Sequence, residues 1–243
     1  MTASDEFRLS ITRALADQLA DGLARLVAAP LDMDQINGLR SRPGIYQLYE
    51  DGMLVYVGKA EASLRSRLAK HYHKLVGREN VGSMTFAALY VHEDLHAVAP
   101  ERLLIDRYRA AGQAPWNNKG FGSNDPGQNR DETQFENDHF DSLHPARLDW
   151  VCNDIAAGTY SVSDLLERVK HTLPYTFRYQ TARFHADLTV EISTDSPTSD
   201  QLFQAIGNTV AAYDDRWQIT ALPGYVIMYP RHGPYPSARK IYQ

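Results

Sequence analysis

Two short strand-like runs flank the dipeptide Asp51-Gly52, and this pattern constrains the chain more than any other. Asp-Gly tolerates the positive φ angles that a two-residue hairpin turn demands. Gly44-Ile45-Tyr46-Gln47-Leu48-Tyr49 and Met53-Leu54-Val55-Tyr56-Val57 are therefore expected to pair as antiparallel strands. A helix follows, with Leu64, Leu68, Tyr72, Leu75 and Val76 at helical spacing and Gly77 at its end. Thr85 to Val91 reads as a third strand. After Pro100, the positions of Leu103, Leu104, Tyr108 and Ala111 mark a second helix that Gly112 ends. The order β-β-α-β-α predicts an α+β module with a small three-stranded mixed or antiparallel sheet flanked by helices.

The flanks are read in the same way. Residues 5–29 predict an amphipathic helix with Leu15, Leu19, Leu23, Leu26 and Val27 on one stripe, stopped by Pro30. Lys119 to His144 has little periodicity and much Gly, Asn, Asp and Pro, the mark of a functional or irregular loop. Pro145 to Thr172 reads as helical in two pieces broken at Gly158, with Ser161 and Asp164 at capping-box spacing. The remainder reads as a strand (His185–Ile192), a helix (Asp200–Tyr213) and two strands (Trp217–Ala221 and Tyr225–Tyr229). The expected organisation is an N-terminal helical arm over 1–42, a core over 43–118, a loop over 119–145 and a C-terminal α/β extension over 146–243.

Apolar residues make up 43% of the 243 positions and charged residues 23%, as in ordinary globular proteins. No stretch approaches the ~18 consecutive apolar residues of a membrane span. The first thirty residues lack a basic start followed by an apolar block. A single cysteine, Cys152, excludes an internal disulfide framework and a multi-cysteine zinc site. A cytoplasmic protein without membrane association is expected. The net charge of −5 does not announce a nucleic-acid binder. Its distribution is more informative: Lys59, Arg65, Arg67, Lys70, Lys74 and Arg78 stand against one acid, Glu61, with His71 and His73 interleaved. On charge alone, such a run is most simply a solvated helix face.

The predicted module gathers groups suited to phosphodiester hydrolysis. That reaction needs an activated water, a cation on the phosphate and help for the leaving oxygen, and a hard metal needs only one or two carboxylates. Tyr46 and Tyr56 lie on the paired strands, and Lys59 follows the second. Arg67 and His71 share a helix face at i, i+4, Glu101 opens the next helix, and Asn117 and Asn118 follow it. The segment His92-Glu93-Asp94-Leu95-His96 spells a zinc-protease pattern, but that chemistry requires a helix. Here the segment follows a strand and precedes Pro100, so it reads as a loop.

In these residues the sequence resembles the GIY-YIG nuclease family. Gly44-Ile45-Tyr46 matches the first signature tripeptide, and Tyr56-Val57-Gly58 the second with Val for Ile, with nine residues between them. Gly58-Lys59-Ala60 and Leu64-Arg65-Ser66-Arg67-Leu68 are similar to the family helix, whose arginine falls on Arg67. Glu101 before Leu104-Ile105 matches the metal-binding glutamate, and Pro115-Trp116-Asn117 the terminal asparagine motif, with Asn118 as the alternative. His71 and the stretch Gly120-Phe121-Gly122…Asp125-Pro126-Gly127 resemble the restriction-endonuclease branch whose members cut GC-rich palindromes such as CCGCGG.

The resemblance implies a type II restriction endonuclease acting on double-stranded DNA as a homodimer within a restriction-modification system. It implies Mg²⁺ on Glu101, with Mn²⁺ as a substitute. Tyr46 would be the general base; free tyrosine titrates near about 10, so Lys59 or a metal-bound water would have to assist. Tyr56 would orient the water or phosphate, or simply pack. Arg67 would grip the scissile phosphate, His71 would bond to that phosphate or to the base, and Asn117 would fix the geometry of the tyrosine or of Glu101, or cap the helix exit. Arg65, Lys70, Asn118, Lys119 and Arg130 are the expected DNA contacts, the last two on the 119–145 loop and Asn118 at its start. The alternatives are a structure-specific repair or mobile-element nicking nuclease and, in a different class, a catalytically silent DNA-binding module.

Overall fold

The computed structural model describes residues 10–91, 100–122, 127–231 and 233–243, without the side chains of residues 11–13, 100 and 101. The chain divides into two compact units: residues 1–72 with 81–121, and residues 73–80 with 122–243.

The first unit is built on the expected hairpin. Helix α1 (Ile11–Ala24), strand β1 (Ala29–Pro30) and the short helix α2 (Met33–Asn37) precede strands β2 (Gly44–Glu50) and β3 (Met53–Ala60). Helix α3 (Leu64–Val76), strand β4 (Met84–Tyr90) and helix α4 (Pro100–Ala110) follow, α3 belonging to this unit through Tyr72. Asp51 and Gly52 both take positive φ, 49° and 81°, as the tight turn requires. Asp51 also accepts the Ser83 backbone N–H at 2.9 Å, and Glu50 that of Gly82 at 2.8 Å, so the hairpin tip is tied to the start of β4.

The sheet is antiparallel with strand order β1-β4-β2-β3. Its fourth strand was not expected. Pro30, read as a helix stop, lies in edge strand β1 opposite Thr85, where a missing N–H leaves no ladder bond unmade. Helix α1 ends earlier, at Ala24. Its Leu19, Ala20 and Leu23 pack with Ile45, Val57, Leu104 and Ala114, so this helix covers one face of its own sheet. Asp32 caps α2 by accepting the Gln35 N–H at 2.8 Å.

The second unit has its own core. Its elements are α5 (Phe140–Leu143), β5 (Gly158–Ser161), α6 (Val162–Thr172), β6 (Phe177–Tyr179), β7 (Thr189–Ile192), α7 (Ser199–Tyr213), β8 (Trp217–Ala221), β9 (Val226–Pro230) and β10 (Lys240–Tyr242). A four-stranded sheet runs β10-β8-β9-β6, with β6 parallel to β9, and β5 pairs with β7. Leu165, Leu166 and Val169 of α6 and Leu202, Phe203, Ile206 and Val210 of α7 are buried against Ile219, Val226 and Met228. Ser161 caps α6 through the Asp164 N–H, as its spacing predicts, and Thr198 with Gln201 forms a reciprocal box on α7.

Two expectations for this unit are corrected. Residues 146–157 are not helical; Ala146, Leu148, Trp150 and Cys152 are apolar at every second position, the period of extended chain. Their backbone is bonded from the start of α7, Ser199 N to Trp150 O at 2.8 Å and Asp200 N to Leu148 O at 2.9 Å. The strand expected from His185 begins only at Thr189, because residues 183–186 form a 3₁₀ turn. The segment read as an irregular loop is also partly folded. It contains a 3₁₀ turn over Gly127–Arg130 and buries Asp131, Phe140 and Asp141.

Asp141 is the electrostatic centre of that segment. Its carboxylate lies 3.0 Å from Arg78 and also pairs with Arg130. Burial pulls the Arg78 guanidinium below its usual pKa, and Asp141 opposes that shift. Removing one partner of a buried pair leaves an uncompensated charge. Asp141→Ala is therefore expected to destabilise the protein by about 3–5 kcal/mol in urea unfolding; a change within about 0.5 kcal/mol would refute this role.

Candidate active site

Antiparallel register fixes which side chains meet. Tyr46 lies opposite Gly58 and Tyr56 opposite Leu48, so both tyrosines project from the same face of the β2–β3 hairpin. Their rings stand 6.1 Å apart at 40°. Gly58 is required by this approach: a Cβ there would overlap the Tyr46 hydroxyl and come within 2.7 Å of the Tyr56 ring. Gly44 is constrained likewise, since a Cβ would run into Leu64 of α3 and the Leu89 carbonyl.

Helix α3 brings Arg67 and His71 to the tyrosine face, one turn apart. The Tyr46 hydroxyl lies 2.6 Å from His71 Nε2 and accepts from Arg67 Nε at 3.2 Å. Because the guanidinium can only donate, one proton is shared between the phenol oxygen and the imidazole nitrogen. Burial works against the Arg67 charge, but the Tyr46 hydroxyl and then that of Tyr56 outweigh it, and the pKa is raised. Tyr46, Tyr56 and His71 are buried, at 0%, 5% and 3% exposure, so a proton moved among them is sheltered from solvent. Arg67 connects this cluster to an open cleft of about 420 Å³ lined also by Lys59, Glu61, Ser63, Ser66 and Lys70.

Asn117 fastens the far side of the hairpin. Its side-chain oxygen accepts the Val57 N–H at 2.9 Å and its amide donates to the Val57 carbonyl at 2.8 Å, imitating a neighbouring strand between Tyr56 and Gly58. Ala114 and Trp116 donate backbone bonds to Leu54 and Val55 just before it. Asn118 is exposed with a φ of 62°. The chain then delivers Phe121, whose ring stacks on His71 at 4.8 Å and 22° and meets Tyr56 edge-on at 4.9 Å.

The residues singled out in the sequence thus sort into groups. Tyr46, Tyr56, Arg67 and His71 form one hydrogen-bonded and ring-packed cluster, with Asn117 bracing it. Lys59 and Lys70 line the adjoining cleft. Arg65 donates through Nε to the Leu39 carbonyl at 2.7 Å, and Arg130 belongs to the second unit, paired with Asp141. Lys119 is half-buried. The backbone of Glu101 is the second residue of α4, while its side chain, like the whole of His92–His96, lies outside the described residues. Phe121 and Trp116 gained no role from sequence reasoning, although two glycines around one aromatic residue signalled an enforced ring position.

A sheet hairpin presenting two tyrosines to a helix-borne arginine and histidine is the core of a GIY-YIG nuclease. The family model described as the Eco29kI GIY-YIG domain matches residues 52–173, half of the chain, and the chain belongs to this restriction-endonuclease family. It is accordingly a nuclease of the restriction-endonuclease kind, a DNA-binding hydrolase. The match begins in the β2–β3 turn and ends just after α6, leaving the first tripeptide and the C-terminal sheet outside it. No curated protein matches the chain. Among the described residues no helix is long and apolar enough to cross a membrane.

Gly58→Ala supplies a test of the packing argument. The added methyl is expected to displace Tyr46, cost about 1–3 kcal/mol in urea unfolding and abolish DNA cleavage. A variant with unchanged stability and cleavage would show that the close approach is dispensable.

Proposed function

We propose that this chain is a type II restriction endonuclease that hydrolyses double-stranded DNA at a short, GC-rich palindrome, using Tyr46 as base and one Mg²⁺ per active site. The observation that carries the reading is the Tyr46 hydroxyl held between Arg67 and His71 Nε2. His71 takes the phenolic proton, and Arg67 offsets the phenolate charge. The phenolate then accepts a proton from the attacking water as the new P–O bond forms. The old P–O bond breaks, and the departing oxygen takes a proton from solvent. Arg67, with Lys59 and Lys70 along the cleft, holds the phosphate as its charge builds.

Mg²⁺ fits the donor chemistry of Glu101, because that ion keeps most of its waters, takes phosphate oxygens and needs as few as one carboxylate. Glu101 is the second residue of α4, the helix whose Leu104 packs with Ile45 and Val57 of the hairpin. Bound there, the ion would draw charge from the phosphate and the leaving oxygen; Mn²⁺ would substitute. Asn118 and Lys119 supply groove contacts, and Arg65 and Arg130 reach DNA backbone only through donors not already engaged. A single such site cuts one strand, so a two-fold homodimer on a palindrome is the economical arrangement. The Gly120-Phe121-Gly122…Asp125-Pro126-Gly127 resemblance supports GC-rich specificity.

The test is digestion of unmethylated phage DNA with Mg²⁺ and, separately, with EDTA. Discrete Mg²⁺-dependent fragments are expected, and their ends would define the site. A smear or single nicks would point instead to the nicking nuclease, and a shifted band without cleavage to the silent binding module. Glu101→Gln is expected to retain DNA binding while slowing cleavage at least about 100-fold. Cleavage at the wild-type rate by that variant would remove Glu101 as the metal ligand.

A further inference from the structure

Around His71 the structure has built more than the proton shuttle requires. The imidazole touches Tyr46 by its Nε2 and is flanked by the Tyr56 ring at 5.5 Å and 61°. Its broad face is covered by Phe121, nearly parallel at 22° and 4.8 Å between centroids. Phe121 is itself 3% exposed and backed by Trp116 at 5.0 Å. Gly120 and Gly122 have φ of 88° and 79°, a region in which side-chain-bearing residues are strained. The turn is thus spent on placing one ring, and the bonds from Ala114, Trp116 and Asn117 to β3 anchor the chain just before it.

We infer that Phe121 is a positioning residue of the hydrolysis, acting through His71. This rests on the reading of Tyr46 and His71 given above. The first effect is orientation. A hydrogen bond at Nε2 fixes one point of the imidazole, and the Phe121 ring stacked on its face fixes its plane, with Tyr56 packed against both rings. The second effect is electrostatic. When Tyr46 gives up its proton, His71 becomes an imidazolium, and the electron-rich face of Phe121 stabilises the cation more than the neutral ring. Phe121 therefore favours the proton-transferred state over the resting one, which is the kind of contact that raises a rate rather than an affinity. DNA is not required to touch Phe121.

The experiment compares the full-length protein with its Phe121→Leu and Phe121→Tyr variants. Single-turnover cleavage is followed on a duplex carrying the mapped cut site, duplex affinity is measured in EDTA, and thermal unfolding is recorded. Leu keeps an apolar group of similar bulk but has no ring face, whereas Tyr keeps the ring. Phe121→Leu is expected to cleave about tenfold more slowly with duplex affinity unchanged and the protein still folded at the assay temperature, and Phe121→Tyr to recover most of the rate. In ¹⁵N spectra of the imidazoles, Phe121→Leu should move the His71 resonances toward the tautomer-averaged values of a free histidine, and Phe121→Tyr should not.

Wild-type cleavage by Phe121→Leu would overturn the inference. So would a rate loss matched by lost affinity or by unfolding at the assay temperature, or a Phe121→Tyr variant as slow as Phe121→Leu. Tyr46→Phe and His71→Ala run in the same assay separate the two claims. If those two cleave at the wild-type rate, the base assignment fails; if they are inactive while Phe121→Leu is unaffected, only the positioning role fails.

Discussion

The antiparallel pairing of β2 with β3 sets every later feature of the first unit. Side chains alternate with a period of two, so the register that places Tyr46 opposite Gly58 also sends Ile45 and Val57 to the other face. One face thereby receives the tyrosines, and the other receives the apolar side chains that α1 and α4 cover. A slip of one residue would exchange them, burying the hydroxyls in a hydrocarbon layer and turning Ile45 and Val57 toward α3. Three devices hold the register: the two positive φ angles at Asp51-Gly52, the bonds from Glu50 and Asp51 to the start of β4, and the Asn117 amide paired with Val57.

On that platform the chemistry reduces to satisfying one buried hydroxyl. A phenol out of water must find partners. Tyr46 finds a permanent cation on one side and a titratable ring on the other, which is a means of moving a proton as well as of satisfying a hydrogen bond. The surrounding rings exclude solvent, and Arg67 reaches from this dry cluster into the open cleft. An acidic chain can engage a polyanion in this way because its positive charge is concentrated along α3 and the strand end before it. In the second unit, Arg78 and Arg130 instead converge on Asp141.

Much of the first unit could be read in the sequence because its signals are local. The Asp51-Gly52 hairpin, the i, i+4 pair Arg67 and His71 and the paired tyrosines each depend on spacing within a single element or a single turn. Strand β1 escaped because a proline beside an amphipathic helix looks like a terminator, and only an edge position opposite β4 reveals its strand role. Residues 146–152 were misread because alternating apolar residues mixed with Ala and Asp also suit a short helix. The pairing of Asn117 with Val57 is long-range, and spacing does not disclose it. The same holds for Phe121, which meets His71 across fifty positions of chain, and for Asp141 with Arg78.

The central claim is that Tyr46 carries the proton in hydrolysis. Replacing it with Phe keeps the ring in its packed position and removes only the oxygen between Arg67 and His71. The most direct measurement is the single-turnover cleavage rate of Tyr46→Phe at saturating enzyme, beside duplex affinity in EDTA. The account predicts a rate reduced at least about 100-fold with affinity within about threefold of wild type. Cleavage by Tyr46→Phe within about threefold of the wild-type rate would contradict it.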